Sequence, residues 1–445
     1  METVLIANRG EIALRVIRAC RELGLRSVAV YSTADAGALW VRKADEAVEI
    51  GKPAARHSYL NADVLLEAAW ASGADAVHPG YGFLAENATF ARRVADAGLT
   101  WVGPAADAIE QMGDKAAARR IAEGAGVPVV PGSDGTVAMD EAREAADAIG
   151  YPVMIKATGG GGGRGIHIAQ DADALTQGME SASREAESAF GNGKLYLEKC
   201  IVSPRHVEVQ VIADEHGNAV HLFERDCSLQ RRRQKLLEES PAPGLTDAAR
   251  AEMTGAAVRL VRESGYVNAG TLEFIVDTDG AFYFIEMNTR IQVEHPVTEM
   301  VTGLDLVKEQ LRVAAGERLS FDQDAVKTCG AAIEFRINAE DPDADFRPSP
   351  GEISGLELPG GPGVRVDTAI FAGYTVPPFY DSLIAKLIVW GVDRPEAIAR
   401  GRRALEEFTV GGIKTTIPFH LRVLDNDGFR RGEYHTGYLT EHSLG

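Results

Sequence analysis

From Glu286 to Glu294 every even-numbered residue is polar: Glu286, Asn288, Arg290, Gln292 and Glu294, with Met287, Thr289, Ile291 and Val293 between them. Successive side chains of an extended chain point to opposite faces. The spacing therefore predicts carboxylates, amides and a guanidinium along one face, and a mostly apolar face against a core. The competing reading is an edge strand with a solvated polar face, but such a face needs no Arg-x-Gln-x-Glu following Glu-x-Asn. Just upstream, residues 270–285 read GTLEFIVDTDGAFYFI, two β-rich runs around the turn signal Asp277-Thr278-Asp279-Gly280. With a loop over 278–281, Glu273 faces Glu286 at a Cβ separation of roughly 5 Å. Carboxylates that close repel unless they share a proton or a cation. A hard divalent ion, completed by Asn288 and substrate phosphates, fits Mg²⁺. Two exposed glutamates that never meet are the alternative, and spacing alone leaves both open.

A second concentration of chemistry is the run Gly159 to Gly163, followed by Arg164-Gly165 and preceded by the strand YPVMIK ending at Lys156. Five glycines suit neither a helix nor a core strand. Their bare N–H groups can wrap an anion such as a nucleotide phosphate, with Lys156 adding positive charge. A flexible linker would not sit inside a strand–loop–strand flanked by Lys and Arg. No Walker loop is present. The segment Lys194–Ile201 is a candidate hinge whose backbone could read an adenine edge, and His206–Ala213 alternates as a strand. Gln230-Arg231-Arg232-Arg233-Gln234-Lys235 is a dense cationic cluster in an acidic chain; a solvated surface or an anion site would account for it. Glu334, Arg336 and Asn338 share one strand face, and Tyr380, Asp381 and Lys386 accompany another apolar strand.

These groups need elements to hold them. The chain opens with TVLIANRGEIALRVIRACRELGLRSVAVYS, a βαβ unit that implies a parallel sheet. Its first turn lacks G-x-G-x-x-G, which argues against a dinucleotide. The strand Ala74–His78 ends in HPGYGFLAEN. His78, Tyr81, Glu86 and Asn87 thus stand where open parallel sheets bind ligands, although for each singly a structural turn is the stronger reading. A strand at Thr100–Gly103 and a linking helix at Ala105–Asp114 end this part. Length, 445 residues, predicts two or three domains. A formal charge of −19 argues against a nucleic-acid binder. Cys20, Cys200, Cys227 and Cys329 lack metal spacing and read as reduced thiols of a cytoplasmic protein. No signal peptide is expected before the strand at Val4, and no apolar run reaches the roughly 18 residues of a membrane span.

Taken together, ANRGEIA, HPGYGFLAEN, the MGDK at Met112–Lys115, KATGGGGGRG, SPRHVEVQ, ERDCSLQRRRQK and EMNTRIQVEHPVTEM resemble, in order, the biotin carboxylases of the ATP-grasp superfamily. The resemblance implies an α/β (α+β overall) ATP-grasp fold. It places an N-terminal parallel-sheet domain at 1–114, an ATP-grasp region at 115–316 with a mobile glycine-loop lid at about 130–200, and a C-terminal mixed-sheet domain at 317–445. It also implies the reaction: bicarbonate, ATP and Mg²⁺ (or Mn²⁺) carboxylate biotin on a carrier protein through carboxyphosphate, the first half-reaction of an acetyl-CoA or other acyl-CoA carboxylase. By the same resemblance ATP contacts fall on Lys115, Lys156, Gly161, Gly162, Gly163, Gly165, Glu198, Lys199, Ile201, His206, Gln230, Glu273 and Glu286. Metal ligands fall on Glu273, Glu286 and Asn288, and bicarbonate contacts on Lys235, Arg290, Gln292 and Val293. Glu294 is implied as the general base, Arg336 as stabiliser of the biotin enolate, and Tyr81 as a biotin contact; Glu294, Arg290, Arg336 and Lys235 form the catalytic group. The expected partners are a biotin carboxyl carrier protein and a carboxyltransferase on other chains, and a second copy in a homodimer; neither nucleic acid nor membrane is expected. Arg233 and Trp40 depart from residues common in the family. Another ATP-grasp ligase, or a non-catalytic nucleotide-binding protein, are the alternatives.

Overall fold

The computed structural model describes residues 1–133, 135–157, 166–190, 193–442 and 444. The glycine-loop expectations at Gly161, Gly162, Gly163 and Gly165 lie outside the described residues. The chain divides into two compact units, one of residues 1–127, 205–274 and 286–445, the other of residues 128–204 and 275–285.

The first unit begins with a five-stranded parallel sheet in the order β3-β2-β1-β4-β5. Its strands are β1 (Thr3–Ile6), β2 (Arg26–Tyr31), β3 (Glu46–Glu49), β4 (Ala76–His78) and β5 (Thr100–Trp101). The helix Gly10–Glu22 crosses from β1 to β2, burying Ile12, Val16 and Ile17 on its apolar stripe. Sequence reading found β1, β2, β4 and β5 but passed over β3, whose half-exposed residues carry no apolar alternation. Trp40 is fully buried and its indole N–H donates to the Val30 carbonyl, so it serves packing.

An eight-stranded sheet follows. Its order is β13-β12-β9-β10-β11-β14, then the strands Leu383–Gly391 and Val364–Thr368. Here β9 is Arg205–Ala213, β10 Ala219–Arg231, β11 Gln234–Ser240, β12 Asn268–Val276, β13 Phe282–Asn288 and β14 Ala331–Asn338. The expected hairpin forms at the predicted place: the Asp277 carboxylate accepts from the N–H groups of Asp279 and Ala281 (2.9 Å each), and Gly280 takes a left-handed φ of 85°.

One expectation fails here. The strand ends at Asn288, residues 289–294 bend and turn, and Glu294 is the N-terminal cap position of the helix His295–Thr302. Pro296 in that helix's first turn suits a helix start and cannot donate to a sheet ladder. The polar residues from 290 to 294 are thus gathered by a turn, not by period-two alternation.

The second unit holds a three-stranded antiparallel sheet, β7-β6-β8, formed by β6 (Val153–Ala157), β7 (Ile166–Ala169) and β8 (Leu195–Lys199). The helix Ala172–Phe190 packs on it through Leu175, Met179 and Ala182.

β14 must be held firmly, because Glu334 and Arg336 flank Phe335, which is fully buried among Leu237, Val389 and Leu405. Phe335→Ala is expected to cost about 3–5 kcal/mol, read as a lower urea midpoint; an unshifted midpoint would place Phe335 outside the core.

Candidate active site

The centre of the first unit is Lys235 on β11. Its Nζ donates to Glu208 Oε2 (2.6 Å), Glu273 Oε1 (2.8 Å) and Glu294 Oε1 (2.7 Å). Two strands and one helix start thus converge on an ammonium carried by a third strand. Burial works against charge on Lys235, yet the three carboxylates outweigh it and hold its pKa well above the usual lysine value. Glu294 is its counterpart. Burial would neutralise it, but Lys235, Arg336 and Arg225 hold the carboxyl well below the usual range. Arg225, fully buried on β10, fixes the rear of the cluster. It donates to Glu208 (2.5 Å), to Gln210 Oε1 (2.8 Å) and to Thr298 Oγ1 of the helix that Glu294 begins (2.9 Å). Removing one member of such a buried set costs about 3–5 kcal/mol, because the others are left uncompensated.

Arg336 closes the other side. It donates to Glu238 through Nε (2.6 Å) and to Glu294 Oε2 through its terminal nitrogen (2.9 Å). Lys386, directly opposite Arg336 on the neighbouring strand, is fully buried; it donates to the Val293 carbonyl (2.8 Å) and lies 3.1 Å from Glu11. The Tyr81 hydroxyl donates to the same Glu11, and its ring lies 5.9 Å from the Lys386 ammonium. Tyr81 therefore joins the edge of this cluster.

Arg290 is clamped by its own turn. It donates to Glu86 Oε2 (3.0 Å), Gln292 Oε1 (2.8 Å) and Asn288 Oδ1 (3.0 Å). Of the four candidates in HPGYGFLAEN, Glu86 reaches the site in this way and Tyr81 through Glu11. Asn87 instead caps the helix Ala88–Asp96, accepting from Phe90 N–H (2.8 Å). His78 is buried, accepts from Gly80 N–H (3.0 Å) and is pushed down to about 3 by burial, so it is a neutral packing residue.

Glu273 accepts from Asn288 Nδ2 (2.9 Å) as well as from Lys235, and its other oxygen lies 3.0 Å from His206 Nε2. Burial opposes its ionisation, but Lys235 and His206 hold it below the usual range. His206 Nδ1 in turn lies 2.7 Å from Gln230 Nε2. Glu286 reaches Lys115, at the first turn of the helix Lys115–Gly124, across 3.6 Å. The oxygen set of Glu273, Glu286 and Asn288 has the chemistry a hard divalent cation takes. Among the described residues two other donor clusters exist, His206 with Glu208 and Glu273, and Glu208 with Cys227 and Glu294. Both fit a hard divalent cation worse, since they bring in an imidazole or a thiol, and burial pushes the Cys227 thiol well above its ordinary value, leaving it protonated.

The cationic cluster splits. Lys235 turns inward, whereas Arg231 and Arg232 pair with Asp345 at the surface, and Arg233 sits at the β10–β11 turn with φ 66°. The solvated reading thus describes Arg231 and Arg232, at the end of β10 and in the turn, and the anion-site reading is left to the inward Lys235. In the second unit Lys156 on β6 pairs with Glu198 on β8, and Lys199 Nζ donates to the Gly150 (2.8 Å) and Tyr151 (3.0 Å) carbonyls. Lys199 N–H donates to the Pro131 carbonyl (2.7 Å), and Ile201 follows β8 half-buried.

Sequence reading missed Glu208, Arg225, Glu238 and Glu11 as members of the cluster. The signal for one was present: His206, Glu208 and Gln210 alternate with Val207, Val209 and Val211 on β9, and polar residues on a strand buried on both faces need buried partners.

Comparison with known proteins matches the N-terminal domain of biotin carboxylase to residues 1–109, the ATP-binding domain of the carbamoyl-phosphate synthase L chain to residues 114–321, and the biotin carboxylase C-terminal domain to residues 334–441. Biotin carboxylase 1 of Bacillus subtilis is 56% identical over 446 residues, covering 100% of this chain and 99% of its own. The small subunit of the 2-oxoglutarate carboxylase of Hydrogenobacter thermophilus is 52% identical over 440 residues, 99% of this chain and 93% of its own. A solved biotin carboxylase domain dimer of the Hydrogenobacter thermophilus 2-oxoglutarate carboxylase, in complex with MgADP, ADP and bicarbonate, superposes with a TM-score of 0.90 at 51% identity over 99% of this chain and 98% of that one. The three matched domains, the full-length relatives and the mixed α/β fold agree: this chain belongs to the biotin carboxylase family, ligases of the ATP-grasp fold.

Proposed function

We propose that the chain transfers bicarbonate carbon to biotin borne on a separate carrier protein, consuming ATP and yielding carboxybiotin, ADP and phosphate. The observation that carries this reading is the buried contact of Lys235 and Arg336 with the two oxygens of one carboxylate, Glu294. That carboxylate is ionised, fixed, and flanked by the cations that an anionic substrate and a developing enolate require. Relatives named for pyruvate and 2-oxoglutarate carboxylases leave the final acceptor open; an acyl-CoA such as acetyl-CoA is the acceptor we assign, reached through a carboxyltransferase on another chain. A homodimer in the cytoplasm completes the reading. Among the described residues, no helix is long and apolar enough to cross a membrane.

In this reading bicarbonate, similar in size and charge to a carboxylate, competes for Lys235 and is bounded by Arg290, Gln292 and the Val293 backbone. Once Lys235 is drawn to that anion, it stabilises Glu294 less, and the basicity of Glu294 rises when its substrate is present. Glu294 then takes the bicarbonate proton, and the bicarbonate oxygen attacks the γ-phosphate to give carboxyphosphate. Glu273, Glu286 and Asn288 would hold the divalent cation, which supplies charge neutralisation to the phosphates. Within the first unit ATP contacts are assigned to Lys115, His206, Gln230, Glu273 and Glu286; within the second, to Lys156, the glycine loop, Glu198, Lys199 and Ile201. Arg336 stabilises the enolate oxygen formed when the biotin ureido nitrogen loses its proton, and Tyr81 contacts the biotin ring. The three matched ranges of the family and the proposed segments 1–114, 115–316 and 317–445 divide this work.

ADP release by the purified protein with free biotin is expected to need bicarbonate, Mg²⁺ and biotin together. Glu294→Ala is expected to lower the biotin-dependent rate by about 10²–10⁴-fold; equal ATP turnover with and without biotin would point to a different ATP-grasp ligase. For Lys235→Gln, the expected signature is a KM for bicarbonate raised by at least roughly tenfold with a smaller change in KM for ATP. Parallel changes in both constants would remove Lys235 from the bicarbonate site.

A further inference from the structure

Glu238 and Glu334 stand directly opposite each other on the antiparallel strands β11 and β14. Directly opposed side chains share a face, with Cβ atoms roughly 4.5–5.5 Å apart. Both residues are 0% exposed. One Glu238 oxygen accepts from Arg336 (2.6 Å). The other Glu238 oxygen and both Glu334 oxygens have no hydrogen-bond partner among the described residues. Two ionised carboxylates so placed would repel each other without solvation or donors. A single proton between them removes one charge and creates the missing donor.

Resting on the biotin-carboxylation reading above, we propose that Glu238 and Glu334 share one proton and act together as positioning residues that hold Arg336, charged and oriented, beside Glu294. Glu334 carries the proton, since Glu238 is the one bound by the guanidinium. The surroundings agree. Burial, with Glu238 and Glu294 adding to it against Lys386 and Arg336, pushes the Glu334 carboxyl well above the usual range. Burial pushes Glu238 up to about 7, with Arg336 and Lys235 opposing and Glu294 adding. The Cys227 thiol and the Tyr81 hydroxyl also face the pair, and both are neutral. Above pH 7, then, Glu238 is the anion that anchors Arg336 and Glu334 the acid. As pH falls through about 7, Glu238 takes a second proton and Arg336 loses its anchor, leaving Glu294 as its sole carboxylate contact among the described residues. The pair exchanges no proton with substrate; it acts only through Arg336, which contacts biotin in the proposed reaction.

The decisive measurement is infrared difference spectroscopy, wild type minus Glu334→Gln, at pH 8, which needs no turnover. The expected difference is the carbonyl stretch of a protonated carboxylic acid. A carboxylate stretch in its place would overturn the proposal. Glutamine is the neutral isostere of the protonated acid, so failure of Glu334→Gln to fold would overturn it too. The kinetic arm uses Glu238→Gln, expected to raise KM for biotin roughly tenfold while KM for ATP moves less than about twofold. The acid limb of kcat/KM for biotin near pH 7 is expected to flatten in that variant. Equal shifts in both KM values, or an unchanged acid limb, would remove the positioning role. A protein that shows the infrared signal but does not carboxylate biotin would leave the shared proton standing and sink the reaction instead.

Discussion

The candidate site of the first unit is arranged around one ammonium group held by three buried carboxylates. Lys235 lies within 2.8 Å of Glu208, Glu273 and Glu294, and those three come from β9, from β12 and from the residue that starts the helix His295–Thr302. No single stretch of sequence can satisfy this constraint. Desolvating four ions costs several kcal/mol each unless the remaining lone pairs find donors; Arg225, His206 and Asn288 stand against the carboxylates, while Gln210 and Thr298 accept from Arg225. The eight-stranded order, which places β9, β10, β11 and β14 side by side, is the arrangement that brings these groups together. The result is a rigid site in which charges are aimed before any substrate arrives, the condition under which electrostatic stabilisation is strongest.

In the proposed reaction the same arrangement lets a carboxylate held well below its usual range serve as a base. Glu294 is stabilised as an anion by Lys235 and Arg336. In that proposal an arriving bicarbonate draws on Lys235, and the proton affinity of Glu294 rises as its hold weakens. Arg336 has a second support in Glu238, so it need not leave its position when Glu294 becomes protonated.

Much of this was legible in the sequence, for reasons specific to each element. The turn at Asp277–Gly280 was readable because Asp and Gly impose local hydrogen bonds and a left-handed φ regardless of the rest of the chain. The βαβ start was readable from an apolar strand followed by a helical stripe. The convergence of Arg290, Gln292 and Glu294 was anticipated from alternation, but for an incomplete reason: Pro296 and the helix it begins replace the strand, and a turn delivers the groups. Alternation could not reveal Glu238 opposite Glu334, since register between β11 and β14, far apart in the chain, is a property of the whole sheet. Arg231, Arg232 and Lys235 looked alike in sequence; only the β10–β11 hairpin sends the first two to Asp345 and the last inward. The glycine loop, the plainest signal in the sequence, lies outside the described residues, and its role in phosphate binding stays a proposal.

In the proposed reaction Lys235, Arg290 and Glu294 enclose one bicarbonate. A crystal structure of the protein with bicarbonate and MgADP tests it most directly. The anion is expected within hydrogen-bond distance of Lys235 Nζ, the Arg290 guanidinium and a Glu294 oxygen, with Lys235 drawn away from at least one of its three carboxylates. An anion bound elsewhere, with Lys235 still joined to Glu208, Glu273 and Glu294, would contradict it.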